Sequence, residues 1–237
     1  MKRLRPMFSY YGSKWRLSPK YPRFNDEILI EPFAGSACYS LLYWWKKVHL
    51  YDLDETIVML WDYLINVSED EIMNLPILES GQEIPNYLCI EQKILLGFWA
   101  GKALTYPNKT MHKAQDPSFY GLWSEKIRLR IANQLKNIRH WSVEKKSYHD
   151  IENRDALWFV DPPYYCGGKY YKKSNIDYKF LSEWCKSRDG NVIVCENSSA
   201  NWLPFEPFRK NKGMIKNTSE VVWMKSRDET IGTDKTL

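Results

Sequence analysis

The fold class is indicated most clearly by residues 27–37, which read Glu27-Ile28-Leu29-Ile30-Glu31-Pro32-Phe33-Ala34-Gly35-Ser36-Ala37. The first part, residues 27–33, is an apolar run that ends at a turn, which is typical of a buried strand. The pattern predicts a helix over residues 38–45, a second strand over residues 48–52, and a further helix capped by Asp54. This alternation of strands and helices favours a parallel sheet with crossover helices.

Later segments continue the same alternation. Helical spacing of apolar residues predicts helices over residues 120–140 and 179–187. Short apolar runs predict strands over residues 157–160, 191–195 and 220–224. The sequence therefore predicts an α/β protein.

The composition is that of an ordinary globular chain. It has 237 residues and a mass of 28.3 kDa, with 44% hydrophobic and 27% charged residues. No apolar run approaches the roughly 18 residues of a membrane span. The five cysteines form no C-x-x-C pair and the four histidines show no ligand spacing. We therefore expect no membrane segment, no disulfide framework, no zinc cluster and no histidine-built metal site.

The net charge of +5 is unevenly distributed. Residues 1–23 carry seven basic and no acidic side chains, whereas residues 48–92 carry ten acidic and no basic ones. A polyanion would approach the first of these segments and avoid the second. Charge alone is also compatible with an ordinary solvated surface.

Unusual residues follow three of the predicted strands, and ligands of open α/β sheets bind outside the carboxyl ends of strands. After the first strand, Gly35 allows the backbone to approach a ligand closely at a helix N-terminus. Asp52 ends the second strand, where an acid can accept hydrogen bonds from an adenosine ribose. This acid is equally compatible with a helix cap, for which Asp54 is better placed, or with a divalent-metal pair formed with Asp54.

The third strand end, Asp161-Pro162-Pro163-Tyr164, is the most specific of the three. Two prolines directly after a buried strand remove two N–H donors and restrict the backbone. They hold Asp161 at the edge of the sheet, with an aromatic ring three residues later. A purely structural reason for this arrangement is hard to find, so we interpret it as catalytic.

Together these segments resemble the Dam-type family of DNA adenine methyltransferases, which use S-adenosylmethionine. Residues 161–164 look like that family's D-P-P-Y catalytic motif, and residues 31–37 resemble its cofactor loop, usually F-x-G-x-G. Tyr10-Tyr11-Gly12-Ser13-Lys14 resembles its N-terminal tryptophan-alanine-glycine-glycine-lysine segment. The motifs follow in the family's order from about residue 8 to about residue 203. The chain departs from the family pattern at Tyr10, Ser13 and Ala37, and none of these departures removes a reactive group.

The resemblance implies a Rossmann-like methyltransferase sheet with a small, mainly helical inserted subdomain. It also implies S-adenosylmethionine as the cofactor, S-adenosylhomocysteine as the product, and no metal. Asp161, Pro162 and Tyr164 are then the expected catalytic residues. The expected cofactor-binding residues are Tyr10, Gly12, Lys14, Glu31, Phe33, Gly35, Asp52 and Asp161.

The expected chemistry is direct transfer of a methyl group to the exocyclic amine of a flipped adenine. The Asp161 carboxylate and the Pro162 carbonyl would accept the two amine hydrogens, and Tyr164 would stack on the base. Methylation of a cytosine ring carbon typically uses a cysteine in a Pro-Cys pair. The chain contains no Pro-Cys pair, which disfavours that chemistry.

The spacing of the motifs predicts an insertion. Gly35 and Asp161 are 126 residues apart, whereas two βαβ steps need roughly 60 residues. We therefore predict a target-recognition subdomain over residues 73–140 and a catalytic domain formed by residues 1–72 and 141–237. Basic side chains near these segments would meet DNA phosphates. Tyr170 and Tyr171 would lie either in a flexible lid over the DNA or in a solvated charged loop. The predicted DNA-binding residues are Lys113, Lys126, Arg128, Arg130, Lys169, Lys172 and Lys173.

The expected partner is double-stranded DNA, with no obligate protein partner, in the cytoplasm of a bacterium or a phage-infected cell. Several alternatives remain at this stage. The same motif would serve a cytosine amine or an RNA substrate, and an inactive DNA-binding relative would keep the fold. A metal-dependent glycosyltransferase using Asp52 and Asp54 leaves the Asp-Pro-Pro-Tyr segment unexplained.

Overall fold

The computed structural model describes residues 2–113, 121–165, 176–212 and 217–227. Within these ranges, seven strands form one sheet. The strands are β1 (Ile28–Glu31), β2 (Lys47–Asp52), β3 (Ser142–Lys145), β4 (Ala156–Val160), β5 (Gly190–Asn197), β6 (Glu206–Lys212) and β7 (Asn217–Lys225).

The strand order is β3-β2-β1-β4-β5-β7-β6. Strands β1 to β5 pair in parallel, and β7 runs antiparallel to both of its neighbours. Strands β2 and β3 lie on one side of β1, and the later strands, beginning with β4, lie on the other side. The fold is therefore a Rossmann-like α/β fold, as predicted, with its topological switch point between β1 and β4.

Five α-helices accompany the sheet in the described part of the chain. They are α1 (Glu55–Asn66), α2 (Glu69–Met73), α3 (Ile90–Trp99), α4 (Glu125–Leu135) and α5 (Tyr178–Lys186). The Asp54 side chain accepts a hydrogen bond from the Thr56 N–H at 3.0 Å, which confirms Asp54 as the cap of α1. The helix predicted over residues 120–140 is confirmed as the shorter α4, and the helix predicted over residues 179–187 is confirmed as α5, displaced by one residue.

The helix predicted over residues 38–45 is wrong. The structure has only a short 3₁₀ turn at Ser40–Leu42 between β1 and β2. Gly35 and Ala37, which precede the predicted helix, adopt positive φ angles of 44° and 45°, and the short turn ends at Tyr43, whose φ and ψ of −115° and 36° leave the helical region. The Glu31 carboxylate then accepts hydrogen bonds from the backbone N–H and the hydroxyl of Ser40. The turn is therefore held to β1 instead of extending along its own axis.

Alternate residues of the central strands face two apolar clusters. Leu157 and Phe159 pack with Leu29 on one face of the sheet. Trp158 and Val160 pack with residues of β5 on the other. Because both faces are covered, the central strands read as continuous apolar runs, which is why the sequence identified them.

The edge strands and α3 were not predicted, for physical reasons visible in the structure. Strand β3 is polar and lies at the edge of the sheet, and β6 contains Pro207. Edge strands tolerate both features, so no apolar pattern identifies them. Helix α3 contains Gly97, a residue that weakens a helix prediction. A Cβ atom at this position would lie 2.5 Å from Pro107, so the glycine allows the two segments to pack closely.

The predicted insertion over residues 73–140 contributes to the main core. Its buried side chains, among them Leu95, Trp123 and Ile131, belong to the same apolar cluster as Leu29 and Leu50 of the sheet. No helix among the described residues is both long and apolar enough to span a bilayer.

Candidate functional site

A cavity of about 750 Å³ opens at the carboxyl ends of β1, β2 and β4. The loops that follow these strands line it, together with residues 10–14 of the N-terminal segment. The cavity thus lies at the topological switch point, where α/β sheets bind their ligands. The predicted cofactor-binding residues that line it are Tyr10, Gly12, Lys14, Glu31, Phe33, Gly35, Asp52 and Asp161.

Lys14 and Asp161 form an ion pair inside this cavity. The Lys14 Nζ lies 2.8 Å from Asp161 Oδ1, and the two side chains are 9% and 20% exposed. Burial by itself lowers the pKa of Lys14, but Asp161, Tyr164 and Glu220 overcome this effect and hold the pKa well above its usual value. Burial raises the pKa of Asp161, and the Lys14 ammonium opposes that rise. The lysine therefore favours an ionised Asp161 in a poorly solvated place.

The chain around Asp161 is fixed by several contacts. The Pro163 carbonyl accepts a hydrogen bond from the hydroxyl of Tyr178 on α5. The Tyr165 N–H donates to the fully buried Glu196 at the end of β5, at 2.6 Å. Because neither proline has an N–H, these contacts and the ring constraints together define the path of the segment.

Asp52 holds the loop that follows β1. Its Oδ2 accepts the Gly35 N–H at 3.0 Å, and its Oδ1 accepts the Asp54 N–H at 2.9 Å. Burial raises the pKa of Asp52 to about 6. Two carboxylate oxygens offer about four acceptor positions, so Asp52 retains acceptor capacity for a ligand hydroxyl.

Gly35 allows the N-terminal segment to approach this loop closely. A Cβ atom at Gly35 would lie 3.2 Å from the Tyr10 ring, and the φ angle of +44° disfavours any other residue. The Gly35 carbonyl accepts a hydrogen bond from the indole of Trp61 on α1. The loop is therefore held from three directions.

Two further cavity residues, Glu31 and Phe33, lie at and just after the end of β1. Glu31 is almost fully buried and accepts two hydrogen bonds from Ser40, at 2.6 and 2.7 Å. Burial raises its pKa to about 8. The Phe33 ring lies 5.5 Å from the ring of Tyr148, between centroids.

Tyr164 is anchored through its hydroxyl, which donates to Glu220 Oε1 of β7 at 2.8 Å. The hydroxyl of Tyr21 donates to the same oxygen at 3.1 Å. Sequence reasoning missed both Glu220 and Tyr21, because no motif contains them. The available signal was one acidic residue at the start of the apolar stretch 220–224.

The predicted DNA-binding residues fall into three groups. Lys113 and Lys126 are exposed. Arg128 donates to the Leu75 carbonyl at 2.7 Å and Arg130 to the Pro6 carbonyl at 3.0 Å, so both have partners within the protein. The remaining predicted residues lie outside the described part of the chain, as do the proposed lid tyrosines: Lys169, Tyr170, Tyr171, Lys172 and Lys173.

The Asp52–Asp54 pair is occupied by local hydrogen bonds. Asp52 accepts two backbone N–H groups, and Asp54 caps α1. Among the described residues, no group of three or more histidine, cysteine, aspartate or glutamate side chains is arranged to hold a metal ion. Hydrogen bonds from backbone N–H groups thus explain why an acid occurs at each of these two positions.

Comparisons with known proteins return structural likeness only. No protein-family model matches the chain, and no curated protein matches its sequence. The rRNA methyltransferase aviRa from Streptomyces viridochromogenes is 11% identical, with a TM-score of 0.42 over 96% of this chain and 90% of aviRa. The presumed methylase HI0767 from Haemophilus influenzae is 12% identical, with a TM-score of 0.39 over 95% of this chain and 99% of HI0767.

A third structure is that of the presumed methyltransferase yhhF from Escherichia coli. It is 8% identical, with a TM-score of 0.38 over 84% of this chain and 75% of yhhF.

Proposed function

We propose that this protein is a DNA adenine methyltransferase. It would transfer a methyl group from S-adenosylmethionine to the exocyclic N6 amine of an adenine flipped out of double-stranded DNA. One observation carries the proposal, the 2.8 Å contact between Lys14 and Asp161. This contact joins the N-terminal motif to the Asp-Pro-Pro-Tyr motif across 147 residues of chain, in the cavity that the Gly35 loop also lines.

The cavity suits the proposed cofactor in size and in donor set. Its volume of about 750 Å³ lies in the range of roughly 300–1,000 Å³ that is usual for small-molecule sites. Asp52 would accept the ribose hydroxyls, and the backbone around Gly35 would lie along the cofactor. When bound, S-adenosylmethionine supplies an electrophilic methyl group on a sulfonium centre.

The residues around Asp161 supply what a weakly nucleophilic amine needs. The adenine amine nitrogen shares its lone pair with the ring, so it attacks poorly. The Asp161 carboxylate and the Pro162 carbonyl would accept its two hydrogens, which draws the lone pair back onto nitrogen and aims it. The carboxylate also accepts the proton that the nitrogen must lose after methylation. Lys14 keeps that carboxylate ionised before the base arrives.

The test is a product analysis with radiolabelled S-adenosylmethionine and unmethylated DNA of mixed sequence. After digestion to nucleosides, we expect label in N6-methyladenine. Asp161→Asn keeps the size of the side chain but loses its charge, so we expect transfer to fall at least about 100-fold. Asp62→Asn, an exposed aspartate on α1, is the matched control and should transfer at the normal rate.

Other outcomes would contradict the proposal in specific ways. Label in N4-methylcytosine would keep the mechanism and change the base. Label in RNA but not in DNA would change the substrate. Equal transfer by Asp161→Asn and the control would remove Asp161 from the chemistry.

A further inference from the structure

One carboxylate oxygen of Glu220 lies close to three other polar groups. Its Oε1 accepts the Tyr164 hydroxyl at 2.8 Å and the Tyr21 hydroxyl at 3.1 Å, and it lies 3.8 Å from Lys14 Nζ. The side chain is only 7% exposed. It comes from β7, the antiparallel strand, and therefore reaches the site from outside the predicted motifs.

We propose that Glu220 is a positioning residue of the transfer site, which holds the Lys14 ammonium and the Tyr164 ring beside Asp161. Tyr21 in turn holds Glu220. This inference rests on the proposed function for its catalytic meaning, but the contacts themselves do not depend on the substrate.

The first argument is electrostatic. A buried ammonium is stable only when it is paired, and Lys14 lies between two carboxylates at 2.8 and 3.8 Å. The ammonium also donates a hydrogen bond to the Gly12 carbonyl at 3.3 Å, a contact within its own segment. Glu220 adds a second carboxylate from a separate strand, β7, which further restrains the ammonium. Asp161 then keeps acceptor capacity for the amine of the base.

The second argument is geometric. The Lys14 Nζ lies 4.7 Å from the centre of the Tyr164 ring, a cation–π contact. The hydroxyl of the same ring is bound to Glu220. The ring is thus held at its tip and against one face. An aromatic surface that must receive a flipped base benefits from being held in place before the base arrives.

The third argument concerns Tyr21, which has no direct contact with the expected substrate. It is almost fully buried, and its ring stacks on Phe208 at 4.6 Å between centroids, with an interplanar angle of 5°. Its hydroxyl therefore comes from a rigid part of the core. The bond to Glu220 ties the positioning residue to the sheet.

Several titratable groups among the described side chains act on Glu220. Burial raises its pKa, Lys14 lowers it, and Asp161 raises it, while the hydroxyls of Tyr164 and Tyr21 lower it. Cys195 of β5 lies in the same environment, since Glu220 raises its pKa. A change of charge at Glu220 should consequently shift the pKa values of Lys14 and Asp161.

The experiment compares Glu220→Gln with Glu183→Gln, an exposed glutamate on α5 that pairs with Lys186. Both variants lose one negative charge, and only the first loses it near Lys14. The first readout is the rate of reductive methylation of Lys14 at pH 8 to 10, followed by peptide mass spectrometry. We expect Glu220→Gln to react about tenfold faster, because removing the nearby carboxylate lowers the pKa of Lys14.

The second readout is the pH dependence of methyl transfer to DNA. Removing a negative charge near Asp161 lowers the pKa of that carboxyl, so the acid limb of kcat/KM should move to lower pH. We expect kcat to fall about tenfold, with the KM for S-adenosylmethionine changing less than about threefold. Unchanged labelling of Lys14 together with an unchanged acid limb would overturn the proposal.

Tyr21→Phe is the second variant, which keeps the charge at Glu220 and removes one of its hydroxyl donors. We expect about a threefold fall in kcat with a nearly normal melting temperature, and a normal kcat here would overturn the role assigned to Tyr21. If the unaltered protein transfers no methyl group to DNA, the proposed function fails. The labelling of Lys14 still decides in that case whether Glu220 holds the lysine.

Discussion

Buried carboxylates are concentrated at the carboxyl ends of the central strands. Glu31, Asp161, Glu196 and Glu220 are buried or nearly so, and Lys14 contacts two of them, Asp161 and Glu220. Burial raises the pKa of each of these acids. Such groups reduce stability when they ionise, so their presence at one edge of the sheet is typical of a functional site.

Glu31 gives a prediction about pH and stability. Burial raises its pKa from 4.5 to about 8, so its contribution to stability is fully present below pH 4.5 and is lost as the pH rises through 8. Glu31→Gln keeps an acceptor for Ser40 and removes the titration. We therefore expect the variant to gain a few kcal/mol over the unaltered protein between pH 5 and pH 9.

The measurement is chemical denaturation at pH 5, 7 and 9. Glu183→Gln serves as the control, since that glutamate is exposed and should leave the pH dependence of stability unaltered. A parallel pH dependence in Glu31→Gln and the unaltered protein would contradict the assignment.

At the scale of elements, the loop after β1 replaces a helix that the sequence pattern predicted. Positive φ angles at Gly35 and Ala37 turn the chain sharply, and Asp52 and Glu31 bind the turn to β2 and β1. The cavity depends on this tight path, because the Tyr10 ring lies directly over Gly35.

We predict that Gly35→Ala weakens cofactor binding more than it weakens the fold. The new methyl group would lie 3.2 Å from the Tyr10 ring and would move that ring into the cavity. Isothermal titration with S-adenosylmethionine should show at least about a tenfold loss of affinity, or about 1.4 kcal/mol.

Gly121→Ala is the matched control. Gly121 also has a positive φ angle, +68°, but nothing lies within 4 Å of its added Cβ atom. Both variants carry a similar backbone strain of about 1–2 kcal/mol. Equal losses of S-adenosylmethionine affinity in the two variants would attribute the effect to strain and not to Tyr10.

At the scale of the whole molecule, residues of the predicted insertion are hydrogen-bonded to the N-terminal segment that carries Lys14. Arg130 of α4 donates to the Pro6 carbonyl, and the indole of Trp99 of α3 donates to the Met7 carbonyl. The Tyr11 N–H donates to the Leu104 carbonyl. These hydrogen bonds fix the backbone of the N-terminal segment a few residues before Lys14.

Two of the predicted DNA-binding residues therefore differ in expected role. Lys126 is exposed, whereas Arg130 bonds to the N-terminal segment. We expect Lys126→Gln to leave the melting temperature unchanged and to weaken DNA binding at all sequences, with the salt slope of log K reduced by about one. We expect Arg130→Gln to lose about 1–3 kcal/mol of stability, because the Pro6 carbonyl loses a charged donor. Salt titrations of binding and thermal melts measure both effects, and a salt slope unchanged by Lys126→Gln would exclude a phosphate contact there.

The sequence by itself determined the central strands, the cap at Asp54 and the residues of the three strand ends. These features are local: apolar runs, a capping acid and a pair of prolines act within a few residues of each other. The tertiary structure decided the rest. The path of residues 32–46, the edge strands β3 and β6, and the ion pair of Lys14 with Asp161 all depend on partners far along the chain. The position of Glu220 has the same cause, because the antiparallel return of β7 brings it beside Tyr164 from 56 residues away, a contact that no local pattern encodes.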